Sequence, residues 1–140
     1  MVLLKILGVD FGDSRTGFAI SDSSGLIATT LETFGEKNFN KVADRTVVLV
    51  REQGAGEVVV GLPRNMDGSL GERGEKCKAF AEKLKELLDC PIVLWDERLT
   101  TVSAHRLMNE TNTRGKKRKA AVDKIAAAYI LQSYLDSKKF

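Results

Sequence analysis

The sequence predicts an α/β domain built on one mixed sheet, on two observations. Three apolar runs of strand length crowd into the first 33 residues with only turn residues between them. After them the apolar spacing becomes helical, and two more strand runs follow, each reached through a helix. Closely linked strands form an antiparallel meander, whereas strands joined by helical crossovers lie parallel, so the sheet combines both.

The first run covers residues 3–10 and the second residues 16–21. Asp22-Ser23-Ser24-Gly25 then turns the chain into a third, residues 26–33. From Asn38, the residues Phe39, Val42, Ala43, Val47 and Val50 recur at helical spacing, with Gly54 as the stop. Residues 58–61 read as a short buried strand. Beyond a loop rich in Gly and Asp, Ser69 and Glu72 have capping-box spacing. The helix they open puts Cys77, Phe80, Ala81, Leu84, Leu87 and Leu88 on one side. Residues 92–95 form the fifth strand, and a short helix is expected from Thr100 or Thr101 to Met108. Residues 109–119 are polar, basic and expected to be a mobile loop, and a last helix spans residues 120–135.

A chain of 140 residues fits a single domain, here residues 1–140, with 43% hydrophobic and 29% charged residues, the balance of a soluble globular protein. No apolar run approaches the roughly 20 residues of a membrane helix, and residues 1–10 lack a basic leader or cleavage site. Cys77 and Cys90 have no metal-ligand spacing and are expected to stay reduced, in keeping with a cytoplasmic protein. Arg114, Lys116, Lys117, Arg118 and Lys119 carry five positive charges against a net charge of +3, so the rest of the chain is slightly acidic. A local basic patch on such a body points to a phosphate-bearing partner.

Three acids stand where acids are costly. Asp10 ends an apolar strand, in a run whose Gly12 and Gly17 leave room for tight turning and a close approach, with Arg15 between them. Asp96 and Glu97 follow the fifth strand; alternation lets only one of them face a given side, and the residues alone do not say which. Pairing of both with Arg98 is the alternative to a site. Asp123 falls within the apolar stripe of the last helix, formed by Val122, Ile125, Ala126, Tyr129, Ile130 and Tyr134. An ion pair with Lys119 one turn back is its bland alternative. Oxygen ligands without His or Cys suit Mg²⁺ or Mn²⁺, and such a site supports hydrolysis of a phosphodiester by water. His105, the lone histidine, is expected on the surface of a short helix. The loop at residues 61–69 leads to a helix N-terminus, a generic phosphate contact to which Arg64 adds charge.

These stretches together resemble a known family. The run Gly8 to Gly17, Val60-Gly61-Leu62-Pro63 with Asp67-Gly68, Asp96-Glu97-Arg98-Leu99-Thr100-Thr101, and Asp123 with Ala126-Ala127 and Ile130-Leu131 are similar to the YqgF (RuvX) family, in the same order and over nearly the whole chain. The resemblance implies a ribonuclease H-like fold with strand order 3-2-1-4-5, strand 2 antiparallel. It also implies a nuclease that processes the 5′ end of precursor 16S ribosomal RNA, or a Holliday junction resolvase. Asp10, Glu97 and Asp123 then hold the metal, and Arg15, Arg64, Arg98 and the basic run hold nucleic acid. Many relatives in the wider superfamily carry their second acid at the end of the fourth strand, where this chain has Gly61. Here it follows the fifth, leaving one or two metals open.

The partner is expected to be structured precursor rRNA or branched DNA, with no membrane. Only nine aromatics occur, mostly at core positions, so shape recognition fits better than base stacking. A resolvase needs a symmetric dimer, whereas RNA processing is served by a monomer or weak homodimer. An ATPase related to actin needs a second such domain, and an RNA-binding assembly factor without activity is a further reading.

Overall fold

The computed structural model describes residues 4–99 and 115–138, with side chains described through Arg98 and again from Ile125. Five strands form one sheet in the order β3-β2-β1-β4-β5: β1 (Lys5–Asp10), β2 (Arg15–Ser21), β3 (Ala28–Gly35), β4 (Ala55–Leu62) and β5 (Ile92–Asp96). β1 runs antiparallel to β2, with Asp10 opposite Gly17, and parallel to β4, with Val9 opposite Val60. β5 continues the parallel half, with Gly61 opposite Trp95. Helices α1 (Phe39–Gln53) and α2 (Glu72–Leu87) are the crossovers, and α3 (Gly115–Ser137) closes the described chain. This is the mixed sheet the sequence predicts, in the ribonuclease H-like order. None of the described helices is long and apolar enough to cross a membrane.

Alternation along the strands sorts the core into two layers. Leu7, Val9 and Phe11 of the first strand region, with Val58, Val60 and Leu62, pack under α1 and α2. Phe11 stacks on Phe80 with ring centroids 4.3 Å apart, and Phe39 meets both rings edge-on. Ile6 and Val59 lie on the other face, where Ala127, Ile130, Leu131, Tyr134 and Leu135 of α3 cover them. Cys77 and Cys90 are free thiols; burial pushes that of Cys77 up to about 12, so it packs as an inert hydrophobe.

Several boundaries differ from expectation, each for a local reason. β3 starts at Ala28, two residues late, because the Asp22 carboxylate accepts the backbone N–H groups of Leu26 (2.8 Å) and Ile27 (3.0 Å) and holds them in the turn. The Ser24 hydroxyl and those bonds lower the Asp22 pKa to about 2. α1 begins and ends as read: Asn38 caps Asn40 and Lys41, and Gly54 stops it at φ 66°. The Ser69–Glu72 capping box does not form. The Ser69 hydroxyl and N–H instead donate to Asp67 (2.6 and 2.9 Å), and α2 starts after Gly71 without a side-chain cap. Leu87 is exposed rather than in the core stripe.

α3 starts at Gly115, so Lys116, Lys117, Arg118 and Lys119 belong to its first turns and not to a loop. Its buried face is centred between Ala127 and Ile130, leaving Ile125, Ala128 and Tyr129 only half-buried. Gln132 ties it to the sheet by accepting from Ala28 N–H and donating to Leu26 C=O, both at 2.9 Å. The expected helix at residues 100–108, His105 and Arg114 lie outside the described residues.

Gly8 sets how closely α3 sits. A Cβ there would fall 2.8 Å from Leu131 Cβ and 3.1 Å from the Ala127 carbonyl oxygen. Gly8→Ala should therefore force α3 outward and destabilise the protein by about 1–3 kcal/mol. Urea unfolding, followed by fluorescence of Trp95, which meets Tyr134 of α3 edge-on, measures this.

Candidate active site

The parallel strands end along one edge, and the loops there bring the acids together. Asp10, in phase with Ile6 and Gly8 on the strand, is 7% exposed. Beyond it the chain turns back into β2 through Gly12, where a Cβ would lie 2.3 Å from the Arg15 carbonyl oxygen. Arg15, half-buried, starts β2 two residues before the Gly17 opposite Asp10.

The choice between Asp96 and Glu97 is decided by geometry. Asp96 folds onto its neighbour: its carboxylate accepts from Arg98 N–H (3.0 Å), Nε (3.0 and 3.1 Å) and Nη2 (2.7 Å). That pairing holds its pKa below the usual range. Glu97, opening a 3₁₀ turn (Glu97–Leu99), goes to the α3 side of the sheet instead. A Cβ placed on Gly61 would lie 2.9 Å from Glu97 Cγ and 3.1 Å from its Cδ. The Glu97 side chain thus fills the space that a side chain at the end of β4 would take. An acid that starts after the fifth strand is delivered beside the fourth, and the missing side chain at Gly61 is what admits it.

There Glu97 and Asp10 share a hydrogen bond. Burial raises the Glu97 pKa, against the opposing effects of the Arg73 charge and that hydrogen bond. Two carboxyl groups in contact, Asp10 buried and Glu97 half-buried, require a proton or a cation between them, since both cannot ionise side by side unaided. Arg73 supplies part of that charge: its Nη2 is 3.5 Å from Asp10 Oδ1. Sequence reasoning missed Arg73. Its signal was an arginine in the first turn of a helix that opens at the sheet's functional edge, where the helix dipole disfavours a cation unless acids face it.

A cavity of about 190 Å³ opens beside the acids, lined by Pro63, Arg64, Arg73, Glu97 and Arg98. Arg64 Nη1 donates to the Gly68 carbonyl at 2.7 Å, holding the 61–69 loop closed under the cavity. A larger cavity, about 550 Å³ and lined by Phe11, Asp13, Lys37, Phe39, Lys76 and Ala79, contains neither Asp10 nor Glu97.

Asp123 is a residue of α3 whose side chain, like those of Lys116, Lys117, Arg118 and Lys119, lies outside the described part of the structure. The helix runs against β1 and β4: Tyr134 bonds Glu57 near the start of β4, while Ala127 abuts Gly8. Position 123 is one turn further toward the Asp10 end. Among the described residues no group of three potential metal ligands occurs, and the described acids in contact are Asp10 and Glu97. The pair is all carboxylate oxygen, a donor set that suits a hard divalent cation.

A five-stranded sheet in the order 3-2-1-4-5, flanked by helices, is the ribonuclease H-like fold, and similar solved structures share it. They include RuvC of T. thermophilus in complex with Holliday junction substrate (TM-score 0.62, 12% identity, 96% of this chain and 95% of that one). The Fowlpox virus resolvase bound to Holliday junction DNA is another (TM-score 0.57, 13% identity, 98% and 100%). The chain belongs to the RuvX family, described as Holliday junction resolvase, which it matches over residues 4–137. Relatives named "Putative pre-16S rRNA nuclease" include those of Bacillus cytotoxicus (47% identity, 96% of this chain and all of that protein) and Thermoanaerobacter pseudethanolicus (47%, 97% and 99%).

Two outcomes check this geometry. Gly61→Ala should displace Glu97 and lower activity by at least about tenfold, with the far-ultraviolet circular dichroism unchanged. In chelator, Glu97→Gln should be more stable than wild type at pH 8 and equal to it at pH 4. The sign follows from the raised Glu97 pKa: its contribution to stability is intact below the ordinary value of 4.5 and is lost as pH rises through the higher folded value. Urea midpoints at the two pH values measure it.

Proposed function

We propose that this chain is a divalent-cation-dependent nuclease whose Asp10, Glu97 and Asp123 hold the cation, Mg²⁺ or Mn²⁺. The observation that carries this is the placement of the Glu97 side chain in the space left at Gly61, in contact with buried Asp10. When bound, the cation supplies Lewis-acid activation of water and of the scissile phosphate. The protein's own residues do the rest. Asp10 and Glu97 present carboxylate oxygens beside two adjoining strand ends, Asp10 buried and Glu97 half-buried. Arg64 and Arg98 line the adjoining cavity and orient phosphate oxygens there. Arg15 stands at the same edge. Arg114, with Lys116, Lys117, Arg118 and Lys119 in α3 before Asp123, grips the backbone of the nucleic acid without reading its sequence.

The substrate favoured is precursor 16S rRNA, cut near its 5′ end in the cytoplasm by one nuclease domain acting as a monomer or weak homodimer. Relatives at 47% identity, matched over nearly their whole length, bear that name. Resolution of branched DNA is the second reading, favoured by the family's description and by junction-bound structures sharing the fold at TM-scores of 0.62 and 0.57.

Purified protein with Mg²⁺ or Mn²⁺, offered precursor rRNA and a four-way DNA junction, separates the two. Asp10→Asn and Glu97→Gln should each lower cleavage by at least about a hundredfold, as loss of a cation ligand does. Cleavage unchanged in both variants excludes the assigned site. Replacing the four basic residues 116–119 by alanine should weaken RNA binding and flatten its salt dependence, by about 0.7–0.9 in slope for each phosphate no longer neutralised.

A further inference from the structure

Arg73 lies across the acids in a way that a permanent structural partner would not. Its side chain is 57% exposed while that of Asp10 is 9% exposed, so the guanidinium reaches in from open solvent. Its 3.5 Å approach to Asp10 is longer than the roughly 2.7–2.9 Å of a tight charge-assisted hydrogen bond. Its charge acts on Glu97 as well. Of the two other arginines lining the same cavity, Arg98 is also bonded to Asp96 and Arg64 to the Gly68 carbonyl. Arg73 therefore pairs with the acids while lining the cavity a phosphate would enter.

We propose that Arg73 has two positions: on Asp10 and Glu97 when no divalent cation is bound, and on a phosphate oxygen of the nucleic acid once the acids hold the cation. This rests on the reading of Asp10 and Glu97 as cation ligands. A guanidinium and a divalent cation compete for the same carboxylate oxygens and repel each other. Once those oxygens are neutralised, the arginine loses its attraction to them, and a phosphate in the cavity offers a bidentate replacement. Arg73 thereby opposes cation binding in the empty protein and stops opposing it when a phosphate accepts the guanidinium. Binding of cation and of nucleic acid then favour each other, and by linkage the coupling is reciprocal.

The test is Mn²⁺ affinity of the full chain, read as free Mn²⁺ by electron paramagnetic resonance, for wild type, Arg73→Gln, Arg73→Lys and Asp10→Asn. Arg73→Gln should bind Mn²⁺ about tenfold more tightly, the effect of removing one charge about 6 Å from a divalent ion under near-aqueous screening. Arg73→Lys, which keeps the charge, should stay near wild type. For a duplex RNA bound in Ca²⁺, the salt-dependence slope should fall by about 0.7–0.9 in Arg73→Gln, the change expected when one phosphate is no longer neutralised. Equal or weaker Mn²⁺ binding by Arg73→Gln overturns the first position, and an unchanged slope overturns the second. Mn²⁺ affinity that does not respond to Asp10→Asn overturns the cation site itself, a separate result visible without the Arg73 variants.

Discussion

A buried carboxyl group, Asp10, in contact with a half-buried one, Glu97, is the constraint around which this protein is arranged. Asp10 and Glu97 come from strands that are not neighbours in the sheet, and β4 stands between them. Placing such groups together out of water is unfavourable without a proton, a cation or an arginine to balance them. The surroundings provide for this. Arg73 reaches in from α2, while Asp96, the neighbouring acid, is drawn off by Arg98 on its own turn. Burial raises the Glu97 pKa, and the Arg73 charge opposes that rise.

Absence of side chains matters as much as their presence. Gly61 leaves the space that Glu97 fills, and it also lets Ile130 of α3 approach, since a Cβ would come within 2.6 Å of Ile130 Cδ1. Gly8 does the same for Leu131. The helix that packs on β2, β3 and β1 is thus also brought close to β1 and β4 at two glycines on one face of the sheet. The seating fixes the height of α3 over β1, and with it the level at which position 123 passes the end of that strand. Packing and site geometry are consequently one problem here, because interiors are dense and adjust little.

The same edge separates the tasks of the basic residues. Arg64 closes a loop, Arg98 restrains an acid, and Arg73 spans acids and cavity. The basic residues opening α3 sit at a helix N-terminus, where cations are unfavourable to the helix itself.

Sheet, strand order and most elements were legible because alternation and helical spacing are local signals. Asn38 and Gly54 marked α1 correctly because caps act within a few residues. The Ser69–Glu72 spacing misled, since Asp67 competed for the same hydroxyl from inside its own loop. Asp10 could be read as a costly acid at the end of an apolar strand, and it is buried there. Glu97 could not be told from Asp96, because that choice depends on Arg98 and on empty volume at Gly61, far back along the chain. Arg73 was invisible for the same reason: its charge gains meaning only when α2 docks beside β1. What the sequence determined by itself was which residues must be buried and with what period. The tertiary structure decided which acids meet, because contact between distant strand ends follows from sheet order and from the space that Gly61 leaves open.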